Sequence, residues 1–411
     1  MKIKFIINLL YSSITFLLTR CFALIATIII ANIFDNEALG TFTVIQANLV
    51  VFQLFSSFSI TTIYQKFFSS NNSNVKQSYF YSSSLQFVFI LSFIFSLGFY
   101  LYLSEFILQN IEFNTGLIAS IAASVVIYAL ANLYRGLYQG LEMHKLLTKM
   151  TAISFVVFFP IFLYLIFYQG IEGALVALVI LPIIELTAYY FGLNRFKLLP
   201  MFKLDKQGWK YFFKELKEFG LPSFLSSFLL LPMAFFINHR ILTFSNIESA
   251  AIINVSMQWR NLLLFIPVIA STVMLPMLNK VYKEDKNMLN SPLKFSSIFI
   301  FSVIGIVSGM MYIFSAKIIS LYGFNYYEVE VFKLMIFGAA LASINLVVGQ
   351  YLAIINKMWV GLSVNFLWAI LFYTTAFFAN DVIEVAEAFL YSYIFLTILQ
   401  FILVCRYYEK K

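Results

Sequence analysis

Charge is scarce in this chain, and cysteine and histidine are scarcer still. Only 11% of its 411 residues are charged, whereas a soluble domain carries roughly a quarter. That shortage excludes a water-soluble globular protein, because too little polar surface remains for a chain that is 62% hydrophobic, with a mean hydropathy of +0.89. The two cysteines, Cys21 and Cys405, lie in or at the end of apolar runs, a setting that suits packing and not a disulfide or a thiolate metal site. The two histidines, His144 and His239, fall on opposite sides of the topology derived below and cannot form a catalytic pair. No catalytic set, metal site or cofactor motif is expected.

What the chain has instead is long apolar runs. Twelve of them, from Ser12–Ile33 to Ala388–Cys405, approach the ~20 residues that cross a ~30 Å hydrocarbon core at 1.5 Å per residue. The basic stretch at Lys2 and Lys4 followed by apolar residues imitates a secretory leader. The run continues past Arg20 to Phe34 without a small-residue cleavage site, so it reads as a first membrane helix. The expected fold class is an all-α polytopic membrane protein of about twelve transmembrane helices.

The basic residues test this count. Lys317, Lys333 and Arg240 fall on one side, and Arg20 and Arg260 lie inside runs. Every other lysine and arginine falls on the side of the N-terminus, so both termini are expected to be cytoplasmic. A net charge of +8 distributed in this way is an orientation signal and does not point to nucleic acid. The longest hydrophilic stretch, 194–218, separates a six-helix half at 1–193 from another at 219–411. Within it Trp209, Phe212, Phe213 and Leu216 recur at helical spacing among lysines. The pattern predicts an amphipathic linker helix lying on the anionic cytoplasmic leaflet. Six runs per half is an even number, which makes the two halves parallel repeats about an axis normal to the membrane.

Several short motifs recur in a familiar order. They are Asp35-Asn36-Glu37-Ala38-Leu39-Gly40-Thr41-Phe42 after the first run, Gly136-Leu137-Tyr138-Gln139-Gly140-Leu141-Glu142 after the fourth, and Phe219-Gly220-Leu221-Pro222 before the seventh. Leu321-Tyr322-Gly323 and Gln350-Tyr351-Leu352-Ala353 follow near the ends of the ninth and tenth. Over nearly the whole chain this order resembles the polysaccharide flippases, the O-antigen (Wzx-type) transporters of the multidrug/oligosaccharidyl-lipid/polysaccharide (MOP) superfamily. The resemblance implies a MATE-like fold in a bacterial inner (cytoplasmic) membrane. It also implies alternating-access transfer of a polyprenyl-pyrophosphate-linked oligosaccharide for O-antigen or capsule synthesis. Membrane lipids and other glycan-assembly membrane proteins are the implied partners.

Ionisable side chains inside the runs are the candidate site. A central Arg costs roughly 2.5–3.5 kcal/mol to insert, so Arg20 and Arg260 each need a partner, a wet cavity or a ligand. The resemblance implies that both face a central cavity and meet the lipid pyrophosphate, a task suited to the two-pronged guanidinium. For Arg20 the plainer reading is snorkelling to the cytoplasmic headgroups or pairing with a neighbour, whereas Arg260 lies too deep in its run to snorkel easily. Arg240, at the outer end of the seventh run, reads either as part of that cavity or as a helix anchor. Gln46 and Asn48 read as cavity lining or as interhelical hydrogen bonds, as do Asn132, Asn238, Asn345, Gln350 and Asn365. Glu185 is the carboxylate well inside a run; it reads as an ion-coupling group or as half of an Arg–Glu pair. A cation-coupled drug antiporter of the same superfamily would depend on such a carboxylate. A membrane glycan polymerase or ligase would need a catalytic loop, and the outer loops are too short to supply one. A passive scaffold for glycan assembly remains a third class.

Overall fold

The computed structural model of the chain describes residues 2–69, 74–107, 114–197, 199–203, 206–229, 232–284, 290–324, 326–354 and 358–409. Among the described residues regular structure is helical throughout: α1 (Lys2–Ile33), α2 (Asn36–Ser57), α3 (Ile60–Ser69), α4 (Asn74–Tyr102), α5 (Thr115–Gly140), α6 (His144–Arg195), α7 (Lys206–Glu215), α8 (Leu221–Phe228), α9 (Pro232–Phe244), α10 (Ile247–Glu284), α11 (Asn290–Ile313), α12 (Ser315–Ser320), α13 (Tyr326–Ile354), α14 (Met358–Phe378) and α15 (Val382–Glu409). Each of the twelve apolar runs coincides with a helix or a pair of helices. Eight segments among the described residues are long and apolar enough to cross a membrane. Backbone polar groups cannot be left unpaired in hydrocarbon, which is why the runs become helices.

Where one helix holds two runs, or two helices share one, the local chemistry is visible. The 52-residue α6 contains the fifth and sixth runs and breaks at Gly170, whose φ of 63° and ψ of −140° no side-chain-bearing residue adopts cheaply. Pro160 and Pro182 lie inside its two halves, each removing one intrahelical hydrogen bond. The second run divides into α2 and α3 at Phe58 and Ser59, both with positive φ. The seventh divides into α8 and α9, and α9 begins at Pro232, where the missing N–H has no helical partner to lose.

By contact the chain forms two compact units. One comprises Met1–Leu18 with Ile45–Pro232, the other Thr19–Val44 with Met233–Lys411. The helices α1 and α2 are therefore each shared, and Thr19–Val44 packs with the later helices although it lies early in sequence. Gly40 in this segment touches the start of α10 so closely that a Cβ would overlap the Ile247 carbonyl.

The first unit is built on aromatic packing. Tyr64, Phe67, Phe68, Phe80, Tyr138, Tyr189 and Phe212 are buried together, with Phe67 and Phe80 stacked at 3.8 Å. Gly136 and Gly140 on α5 lie against α3, where added methyl groups would meet the backbone of Thr61 and Tyr64. The expected leaflet-bound linker helix is α7, and the structure covers most of its apolar face with protein. Phe212 is fully buried, with its ring centroid 5.0 Å from that of Phe87 and 5.7 Å from that of Phe80. Trp209 and Leu216 pack around it. Gly208 makes this docking possible by lying against the Tyr79 carbonyl of α4. Phe213 remains half-exposed, and Lys206, Lys210, Lys214 and Lys217 stay on the outside. In the second unit α10, α13 and α15 pack around Ile252, Val255, Phe332, Met335 and Phe389, all buried.

Candidate functional site

The intramembrane charges separate into those that are neutralised and those that are not. In the first unit α5 continues past Leu133, the expected end of its span, as far as Gly140. This carries Arg135, counted in the sequence as a loop residue, into the helix packing. Its Nη2 lies 3.3 Å from Glu185 Oε1 and 3.3 Å from the Tyr189 hydroxyl. Glu185 is buried and sits one turn before Tyr189 on α6. The Tyr189 hydroxyl is also 3.0 Å from Thr151 Oγ1, and the Tyr138 hydroxyl donates to the Tyr189 carbonyl at 3.0 Å. Glu185 is thus the acid of an Arg–Glu pair that joins α5 to α6. Its partner, Arg135, was missed because the apolar run stops two residues before it. The signal that could have found it was Gly136 and Gly140, whose four-residue spacing continues the helix face beyond Leu133.

In the second unit Arg260 lies well inside α10 and is partly buried. Its Nη2 donates to the Tyr393 hydroxyl and its Nη1 to Asn261 Oδ1, both at 3.3 Å. The guanidinium carbon is 5.8 Å from the centre of the Phe389 ring. Its Nε is buried without a hydrogen-bond partner. No carboxylate among the described residues pairs with it. Tyr393 belongs to an aromatic stack with Trp368 at 5.0 Å and Phe389 at 4.9 Å, so the guanidinium is held by ring faces and a hydroxyl. Such contacts orient a cation without neutralising it.

Arg240 is differently engaged. Its Nη2 donates to the Ala379 carbonyl at 2.8 Å and its Nη1 to Thr243 Oγ1 at 3.0 Å. The Phe244 and Phe377 rings lie within 6 Å on either side. A cation on an orphan carbonyl just past the end of α14 is a helix cap, which is the anchoring alternative for this residue. The Asn48 amide donates to the Tyr102 hydroxyl at 3.0 Å and is fully buried between α2 and α4. Asn254 donates to Asn238 and Asn345 to Thr397 in the same way. These amides act as interhelical hydrogen bonds. Gln46, on α2, is partly buried. Position 20 shares the second compact unit with Arg260; the side chains of Arg20 and Gln350 lie outside the described ones.

A polytopic helical protein with Arg135 paired to Glu185 and with Arg260 held by a hydroxyl and a ring face can now be compared with known proteins. Residues 5–282 match the model of the family described as polysaccharide biosynthesis protein. The chain belongs to that family. No curated protein matches it in sequence. Among solved structures it is similar to the lipid II flippase MurJ in an inward closed conformation, at 16% identity over 96% of this chain and 87% of that one, with a TM-score of 0.75. It is also similar to an inward-facing multidrug-resistance MATE-family transporter, at 14% identity over 98% and 99% of the two chains, with a TM-score of 0.72. A MOP-superfamily transporter from Pyrococcus furiosus follows at 14% identity, covering 97% and 95%, with a TM-score of 0.62. At these identities the likeness establishes the fold, which is that of the MOP superfamily. This member of the polysaccharide biosynthesis family is a multi-pass helical membrane protein with that fold.

Proposed function

We infer that the protein flips a polyprenyl-pyrophosphate-linked oligosaccharide from the cytoplasmic to the outer leaflet for surface polysaccharide synthesis. The observation that carries this reading is Arg260: a guanidinium deep in a membrane helix, oriented by Tyr393 and Phe389, with no carboxylate among the described residues to neutralise it. A cation kept in that state has free charge for an anion that arrives and leaves. A pyrophosphate offers paired oxygens that match the guanidinium fork. Membership of a polysaccharide biosynthesis family supports a glycan cargo, and similarity to a lipid II flippase supports a lipid-linked one. The prenyl tail would remain in lipid while the headgroup crosses by alternating access. Arg20 is the second proposed phosphate ligand. Both termini are proposed to be cytoplasmic in a bacterial inner membrane.

The antiporter reading is weakened by Glu185, the carboxylate well inside an expected span, because it already pairs with Arg135. The deciding experiment uses a strain lacking the protein and complemented with variants. Loss of the protein is expected to remove surface glycan and to leave single lipid-linked repeat units on the cytoplasmic leaflet. Arg260→Ala should fail to complement at wild-type protein level, whereas Arg260→Lys, keeping the charge without the fork, should restore part of the glycan. Normal surface glycan with new drug sensitivity in the deletion strain would select the antiporter. Full complementation by Arg260→Ala would remove Arg260 from the site.

A further inference from the structure

The second unit carries a membrane-facing groove that transport by Arg260 does not use. It has a volume of about 910 Å³ and is lined by α11 and α13, with Leu390 of α15 also contributing. That volume is within the ~300–1,000 Å³ range of small-molecule sites. Gly305 and Gly309, one turn apart on α11, line it, and a Cβ at either would meet nothing within 4 Å. The same four-residue spacing at Gly136 and Gly140 is filled by α3 in the first unit, so α11 has the small-residue face without the neighbour.

Two charges line this groove, whose other walls are apolar apart from Ser308 and the Tyr312 hydroxyl. Glu330 and Lys333 both line it from α13. They are three residues apart on one helix, a spacing at which opposite charges readily pair, yet they form no ion pair. The Lys333 ammonium lies instead over the Tyr312 ring, 5.2 Å from its centre. Tyr and Lys at the end of a span mark headgroup depth. Lys333 is therefore placed to receive a phosphate and Glu330 an ammonium, beside a trough in hydrocarbon that is open to an alkyl chain. A second helix is the poorer fit. Helices are ~10–12 Å across, and Tyr312 and Phe337, each about half-exposed, stand as walls beside the glycines.

We propose that this groove is a binding site for a zwitterionic phospholipid carrying phosphate and a primary amine. The phosphate sits on Lys333, the amine on Glu330, and one acyl chain lies over Gly305 and Gly309. The site is independent of the transport reading and stands or falls without it.

The test is native mass spectrometry of the full-length protein, purified in detergent and titrated with phosphatidylethanolamine or phosphatidylglycerol of matched chains. Wild type should retain the ethanolamine lipid at least tenfold better. Glu330→Gln should abolish that preference while leaving phosphate binding. Lys333→Gln should weaken both lipids, as should the double variant Gly305→Leu/Gly309→Leu, which fills open space and should keep the wild-type melting temperature. Equal binding of the two lipids by wild type would overturn the headgroup assignment. Unchanged lipid retention in the glycine variant would overturn the groove itself. Loss of a wild-type dimer in that variant would show that a second copy of the chain occupies the face.

Discussion

Removing one member of the Arg135–Glu185 pair should cost far more than removing both. In Glu185→Ala the Arg135 charge stays among buried aromatic residues, with the Tyr189 hydroxyl and ring face beside it and, among the described residues, no carboxylate. Stranding a buried charge costs about 3–5 kcal/mol. Partial exposure of Arg135, whose side chain is 21% accessible against 6% for Glu185, places the expected loss near the lower figure. At about 2–4 °C per kcal/mol for a unit of roughly 200 residues, the melting temperature in detergent should fall by about 6–12 °C. The double variant Arg135→Met/Glu185→Met replaces the pair with apolar residues of similar length, and such swaps are often neutral. It should recover most of that loss, because Tyr189 keeps Thr151 at 3.0 Å. Additive penalties in the cycle would refute the claim that the two residues act as a unit. Transport separates structure from coupling: a stable double variant that still supports surface glycan makes the pair structural. A stable one that does not would return Glu185 to the role of coupling group.

Two further outcomes follow from the packing and the charge pattern. Phe212→Ala should destabilise the first unit by about 3–5 kcal/mol and release α7 from α4, seen as new protease cleavage between Lys206 and Lys214; an unchanged digest would show that lipid holds the helix in place. Reporter fusions near Gln207 and after Lys411 should both report the cytoplasm, and an external Lys411 would mean that a span has been miscounted.

The twelve helical runs were legible in the sequence because hydrocarbon imposes one rule on every segment that enters it: pair each backbone group internally. That rule acts on length and polarity alone. The breaks at Gly170 and Pro232 have similarly local causes, since one residue type permits a positive φ and the other lacks an N–H. Arg260 also stood out, because a charge within an apolar run is anomalous without reference to any neighbour.

What a charge meets is a different matter, because partners come from distant parts of the chain. Arg135 looked like a loop residue until α5 was seen to continue to Gly140 and to bring it against Glu185, fifty residues away. The sequence left Arg240 open between cavity and anchor; packing gives it a carbonyl beyond the end of α14, whereas Arg260 meets a hydroxyl and a ring face. The amphipathic pattern of α7 predicted a helix on the leaflet surface, and only the packing showed that an aromatic pocket of protein receives Phe212 from its apolar face. Composition and periodicity determined which segments are helices and which charges are unusual; only tertiary packing decided which of those charges are neutralised, since burial and pairing depend on residues far apart in the chain.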